Sequence, residues 1–233
     1  MPAWTSPAGT DALAQARCPR SAGMMTTRNR VRLLKAGVWL LCLVPVGRLA
    51  WRLLLGDRLG VNPIEEAEHW SGLSALVILL ATLAVTPLRR LSGWNDLQKV
   101  RRLVGLFAFF YAFVHFGIYL GLDQFFGWSY ILEDIAERPY ITVGFTAFVL
   151  LIPLAVTSTK GWIRRLGRRW ITLHRLAYAS GVLGVLHYLW IQKADFRRPA
   201  IAGAVLVVLL GMRVWWAVRK RRGRLAEVRP LRS

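Results

Sequence analysis

Three histidines, His115, His174 and His187, interrupt long apolar runs of this 233-residue chain. His115 lies in LFAFFYAFVHFGIYLGL, and His174 and His187 lie in WITLHRLAYASGVLGVLHYLW. An imidazole in hydrocarbon is costly without a partner, so a histidine inside a membrane span marks a functional-site candidate. Three on two segments point to one shared ligand. The ligand that fits best is haem, whose iron takes axial histidines from facing helices. The plainer alternative is hydrogen bonding between helices. Zinc fits poorly, because no carboxylate or cysteine accompanies the histidines at ligand spacing.

The elements that must hold these side chains follow from composition. The chain is 55% hydrophobic, contains 11 tryptophans and carries a net charge of +20; its mean hydropathy is +0.39. Several apolar stretches approach the length that crosses a bilayer core, about 20 residues. The basic residues fall between those stretches, not along one face, which argues against a nucleic-acid partner. The expected fold is all-α, a polytopic membrane helix bundle of about six transmembrane helices in contact with lipid. The spans are predicted at 33–55, 70–88, 103–122, 139–157, 170–191 and 199–219, with Pro87 stopping the second, Gly121 the third and Pro139 opening the fourth. Arg48 and Arg52, near the end of the first span, are expected to snorkel to headgroups. Cys18 and Cys42 form no metal or redox spacing motif.

Loop charges set the orientation. Arg28, Arg30, Arg32 and Lys35 precede the first span; Arg89, Arg90, Lys99, Arg101 and Arg102 lie between the second and third. Lys160, Arg164, Arg165, Arg168 and Arg169 lie between the fourth and fifth, and Arg219, Lys220, Arg221, Arg222 and Arg224 follow the sixth. The alternate loops carry Glu65, Glu66 and Glu68, then Asp123, Glu133, Asp134 and Glu137. The positive-inside rule therefore places both termini in the cytoplasm. The loop with Lys193, Asp195, Arg197 and Arg198 fits least well, being basic on the outer side.

Orientation converts position into depth. Counting from Leu103, His115 lies about 18 Å in; counting from Trp170, His187 lies about 26 Å in and His174 only four residues in. His115 and His187 thus share the outer half and are expected to clamp one haem if helix tilt absorbs the offset. His174 is expected to serve a second, inner haem, with the adjoining Arg175 toward its propionate or a flavin phosphate. Thirteen residues separate His174 from His187, about 140° away from the same helix face. A local distortion, at Gly181 or Gly184, or two different partners is implied. The residue 13 before His115 is Arg102, so a four-histidine, two-haem arrangement is not available from these two helices.

Other candidates have plainer readings. His69 reads as an interfacial residue beside Trp70, with contact to an external partner or a haem propionate as the alternative. Tyr111, Trp128, Tyr140, Tyr188 and Trp190 read as interface belt or packing. The Glu65, Glu66 and Glu68 cluster reads as a solvated loop or a partner-docking patch.

The stretch LAVTSTKGWIRRLGRRWITLHRLAY followed by VLHYLW, with LSALVILLATLAVTPLRR, RRLVGLFAFFYAFVHFGIY and RPYITVG, resembles the MsrQ (YedZ) family within the ferric-reductase-like transmembrane superfamily. The resemblance spans about residues 33 to 220. It implies an inner-membrane subunit of a methionine sulfoxide reductase system that binds heme b, with FMN as a further family cofactor. It implies electrons drawn from the quinone pool or a cytoplasmic flavin reductase and passed to a periplasmic MsrP-like molybdopterin reductase. The family's haem histidines fall on His115, His174 and His187. The domain expectation is an N-terminal extension over 1–30, disordered or upstream of a true start at Met24 or Met25, then a haem-binding transmembrane domain over 31–222 and a basic cytoplasmic tail over 223–233. The sequence shows no Rossmann glycine fingerprint, so the electron donor is expected to be separate. Two rival classes remain: a cytochrome b-like reductase of metal ions or oxygen, and a membrane protein without redox function.

Overall fold

The computed structural model describes residues 27–54, 62–192 and 195–228. Cys18, Lys193, the extension before Thr27 and the end of the basic tail lie outside them. The described chain is helical: α1 (Thr27–Leu54), α2 (Pro63–Ser92), α3 (Leu97–Ile118) with a π-helical turn over Tyr119–Asp123, and α4 (Trp128–Glu137). Then come α5 (Pro139–Val156), α6 (Lys160–Leu166), α7 (Arg168–Leu173), α8 (Leu176–Ile191) and α9 (Arg197–Val228). Five of these stretches are long and apolar enough to cross a membrane: α1, α2, α3 with its π turn, α5 and α9. The chain is an all-α, polytopic membrane protein. The expected fifth span is divided, leaving α8 with 16 residues, about 24 Å of helix.

The helix ends follow local chemistry. Asn62 caps α2 by accepting from the Ile64 and Glu65 amides, and Pro63 occupies the first turn, where its missing N–H is harmless. Gly93 ends α2 at φ 70, a left-handed position that favours glycine. Thr159 caps α6 through the Trp162 amide. The segment read as an acidic outer loop contains α4, a helix its short length had hidden.

Pro45, Pro87 and Pro153 sit inside spans, and at the first two another helix supplies hydrogen bonds to the interrupted ladder. Pro87 does not stop α2. It lacks the N–H that would bond the Leu83 carbonyl, and Arg213 of α9 donates to that carbonyl instead, at 2.6 Å. Near Pro45 of α1, the Tyr111 hydroxyl enters the ladder: it accepts from the Val46 amide at 3.2 Å and donates to the Cys42 carbonyl at 2.5 Å. Tyr111 is therefore more than packing. Such insertion is a recognised origin of helix bending.

In lipid, helices associate through close packing and small residues, because hydrocarbon offers no hydrophobic drive. Here α2 packs against α3, and α5 against α8. Gly181 and Gly184 let α8 approach α2, where Leu83 and Leu76 would lie 3.2 and 3.4 Å from an added Cβ. These glycines pack helices and do not mark the distortion. The outer faces of α1 and α9 expose Leu40, Leu41 and Val207, as lipid contact requires. Arg52 and Arg48 turn toward α2 instead of simply reaching headgroups: Arg52 pairs with Glu66, and Arg48 lies 4.9 Å from the Trp70 ring centre.

Candidate haem site

The α2–α3 and α5–α8 pairs enclose a cavity of about 840 Å³, within the usual range for cofactor sites, roughly 300–1,000 Å³. One end is polar, with Glu65, Glu68, Asp123, Asp134 and Arg138; the other is apolar, with Leu76, Leu79, Phe148 and Leu151. His115 and His187 both line it. Their ring centres are 6.3 Å apart and their planes are inclined by 69°.

Counting along single helices does not by itself bring them together: His115 lies about 27 Å from the start of α3 at Leu97, and His187 about 16 Å from the start of α8 at Leu176. The packing of α2 with α3 and of α5 with α8 brings both rings into one cavity.

The same local device fixes both rings. His115 Nδ1 lies 3.0 Å from the Glu68 carbonyl oxygen, and His187 Nδ1 lies 2.7 Å from that of Tyr140. A carbonyl can only accept, so each Nδ1 carries its proton and donates. Each Nε2 is then left with a free lone pair, the state a metal-ligating imidazole needs. Four residues beyond each acceptor stands a glycine. A Cβ on Gly72 would lie 3.1 Å from His115 Cε1, and one on Gly144 only 2.6 Å from His187 Cε1 and Nδ1. In a helix, the side chain at i+4 covers the turn holding the carbonyl of residue i. Glycine at that position leaves the carbonyl's second lone pair open to the ring. Glu68–Gly72 and Tyr140–Gly144 are thus two copies of one histidine cradle. Sequence reasoning missed both glycines; the visible signal was a glycine inside an apolar span with no turn beside it.

The residues present fit a haem: two imidazoles from facing helices, 6.3 Å apart between ring centres, each with a free Nε2 that could hold the iron. Two polar atoms in the lining, Glu68 Oε1 and Tyr188 OH, are buried without a hydrogen-bond partner, a state that calls for a further group. Among the described residues, no group of three or more His, Cys, Asp or Glu could hold a bare metal ion.

His174 and Arg175 do not line this cavity. They form the break between α7 and α8, where the Arg175 amide bonds the Thr172 carbonyl and the Tyr178 amide the Arg175 carbonyl. The distortion between His174 and His187 therefore lies at His174 itself. Its ring stacks on Trp170 with centres 3.9 Å apart, and its Nδ1 lies 3.2 Å from the Trp170 carbonyl. His69 lines the cavity, with its ring centre 6.3 Å from that of Tyr188. All three of Glu65, Glu66 and Glu68 line the cavity, Glu65 at its exposed rim and Glu66 paired with Arg52.

Residues 70–185, which include Gly72, His115 and the Tyr140–Gly144 turn and end just before His187, match the family described as ferric reductase like transmembrane component. This is the class the bundle and its paired histidines define. The chain is 52% identical over 195 residues to the protein-methionine-sulfoxide reductase heme-binding subunit MsrQ of Herminiimonas arsenicoxydans, covering 82% of this chain and 89% of the relative. It is 52% identical over 208 residues to the MsrQ of Ralstonia nicotianae, covering 87% and 94%. With the MsrQ of Xanthomonas campestris pv. campestris strain 8004 it shares 50% over 193 residues, covering 81% and 88%. The chain belongs to the MsrQ family. No solved structure matches it.

Proposed function

We propose that this chain is the haem-bearing electron-transfer subunit of a methionine sulfoxide reductase system in the bacterial inner membrane. The observation that carries this reading is the His115–His187 pair, with both Nδ1 atoms donating to backbone and both Nε2 atoms free. In this reading His115 and His187 would hold one b-type haem through their free Nε2 atoms. A bound haem supplies one-electron exchange at its iron.

The chain's own residues do the rest. The Glu68 and Tyr140 carbonyls hold the imidazole tautomers and raise their basicity. Leu76, Leu79, Phe148 and Leu151 exclude water at the inner end of the cavity, which bears on the potential of any bound redox group. Arg138 is the one Arg or Lys among the described lining residues; its Nε already pairs with Asp134 at 3.1 Å, which leaves the other guanidinium nitrogens to meet a carboxylate there. Methionine sulfoxide reduction takes two electrons. The chain therefore relays, and a periplasmic MsrP-like molybdopterin partner carries out the reduction. Electrons enter from the cytoplasmic side, from quinone or a flavin reductase, with His174 and Arg175 at that end. The acidic polar end of the histidine cavity does not suit a flavin phosphate, so any FMN belongs on the cytoplasmic side.

The deciding experiment is the visible spectrum of protein expressed with ample haem supply. A Soret band and dithionite-sensitive α band are expected. Their absence ends the haem reading. Co-purification of a periplasmic molybdopterin protein separates this function from metal-ion or oxygen reduction.

A further inference from the structure

A second set of unmet polar groups lies at the cytoplasmic end of the bundle, apart from the histidine cavity. Arg213 reaches inward from α9, donating to the Tyr178 hydroxyl and the Leu83 carbonyl, each at 2.6 Å. These bonds satisfy donors but leave the charge uncompensated, since no carboxylate lies within ion-pair distance among the described residues. Arg90 of α2 lies 4.8 Å from the ring centre of Trp216, three residues beyond Arg213 on α9, and the charge of Arg101 of α3 also bears on Arg213; both are cations. Like charges gathered at a membrane face repel one another unless an anion joins them.

The orphaned atoms point the same way. Thr86 Oγ1, Arg89 Nε and Arg213 Nε are buried without hydrogen-bond partners, and all three can donate. Thr86 lies one helical turn beyond Leu83, whose carbonyl receives Arg213. Asp96, the one carboxylate at this end among residues with described side chains, is engaged by Lys99 at 2.7 Å and Arg30 at 4.0 Å. Positive-inside topology explains why cations gather here. It does not explain a half-buried guanidinium without an acid, or the two further orphaned donors, Thr86 Oγ1 and Arg89 Nε, on the helix that Arg213 reaches.

We infer that Arg213, Arg90 and Arg101, with Thr86 and Arg89, form a binding site for a phosphoryl anion at the cytoplasmic face. Guanidinium forks match phosphate oxygens, and basic pockets between transmembrane helices on this side take anionic headgroups. Two sources share that chemistry: an anionic phospholipid and a soluble phosphate monoester such as a flavin nucleotide. The site is independent of the haem reading, because none of its residues lines the histidine cavity.

The test uses the full, haem-loaded chain in a neutral detergent. Native mass spectrometry compares phosphatidylglycerol with phosphatidylcholine, and flavin fluorescence compares FMN with riboflavin. A preference of roughly tenfold or more for the phosphoryl-bearing member of either pair is expected. It should fall in Arg90→Gln and Arg101→Gln, which keep the Arg213 bonds, and in Arg213→Lys, which keeps the charge but loses the fork. The lipid pair responding identifies a headgroup; the flavin pair responding identifies a nucleotide. No preference in either pair, or one that survives all three substitutions, overturns the site.

Discussion

Gly144 stands directly against the His187 ring: a Cβ there would approach Cε1 and Nδ1 to 2.6 Å, closer than real Cβ contacts allow. Because the ring is also tied to the Tyr140 carbonyl one turn earlier, it cannot retreat without losing that bond. Gly144→Ala is therefore expected to displace His187 and remove most of the haem, read as the Soret-to-protein absorbance ratio. The corresponding gap at Gly72 is 3.1 Å, so Gly72→Ala should retain more haem than Gly144→Ala. The reverse order would contradict the cradle geometry.

Substituting the ligands tests the pairing itself. His115→Ala and His187→Ala should each abolish the same haem signal, because one iron needs both rings. His174→Ala should leave that signal in place, since its ring lies on Trp170 and outside the cavity. Loss of all haem on changing His174, with His187→Ala spared, would show that the wrong pair had been assigned.

Tyr111→Phe probes the repaired ladder of α1. The hydroxyl serves both the Val46 amide and the Cys42 carbonyl, and removing it leaves two backbone groups unmet. A loss of about 1–3 kcal/mol is expected, seen as a lower melting temperature in detergent with the haem spectrum of the remaining folded protein unchanged. An unaltered melting temperature would mean that the two groups find other partners.

Asp96 should give the protein an acid-sensitive limb. The Lys99 ammonium bonded to its carboxylate, aided by Lys99 and Arg30 charge, holds its pKa below the ordinary value of 3.8 despite partial desolvation. A depressed folded-state pKa adds stability above the unfolded carboxylate range, about 3.9, and that stability is lost as pH falls through the folded value. Asp96→Asn should therefore melt lower than wild type at pH 7, and the gap should narrow below about pH 4. A gap that stays constant across that range would assign Asp96 no electrostatic role.

The proposal of a site at His115 and His187 needed only residue type and order, because depth can be counted along a helix. The starting points of that count were not legible: α3 begins at Leu97, in a segment whose charges disguised it as loop, and α8 begins only at Leu176, after the break at His174. Its short length hid α4. Pro87 misled for a different reason: its missing donor is compensated by Arg213, 126 positions away, a contact no local pattern contains.

What the sequence determined, then, were properties that one segment carries alone: hydropathy marks an all-α bundle of membrane spans, loop charge carries the expected orientation, and residue type marks the histidines inside the apolar runs. What the tertiary structure decided were properties that need two segments. The Nδ1 tautomers, the Gly72 and Gly144 recesses and the 6.3 Å ring separation exist only when α2 meets α3 and α5 meets α8. The break at His174 turns that ring onto Trp170 and away from the cavity. Hydrogen-bond direction and close approach depend on where a neighbour's backbone lies, and the order of residues along one helix does not record that.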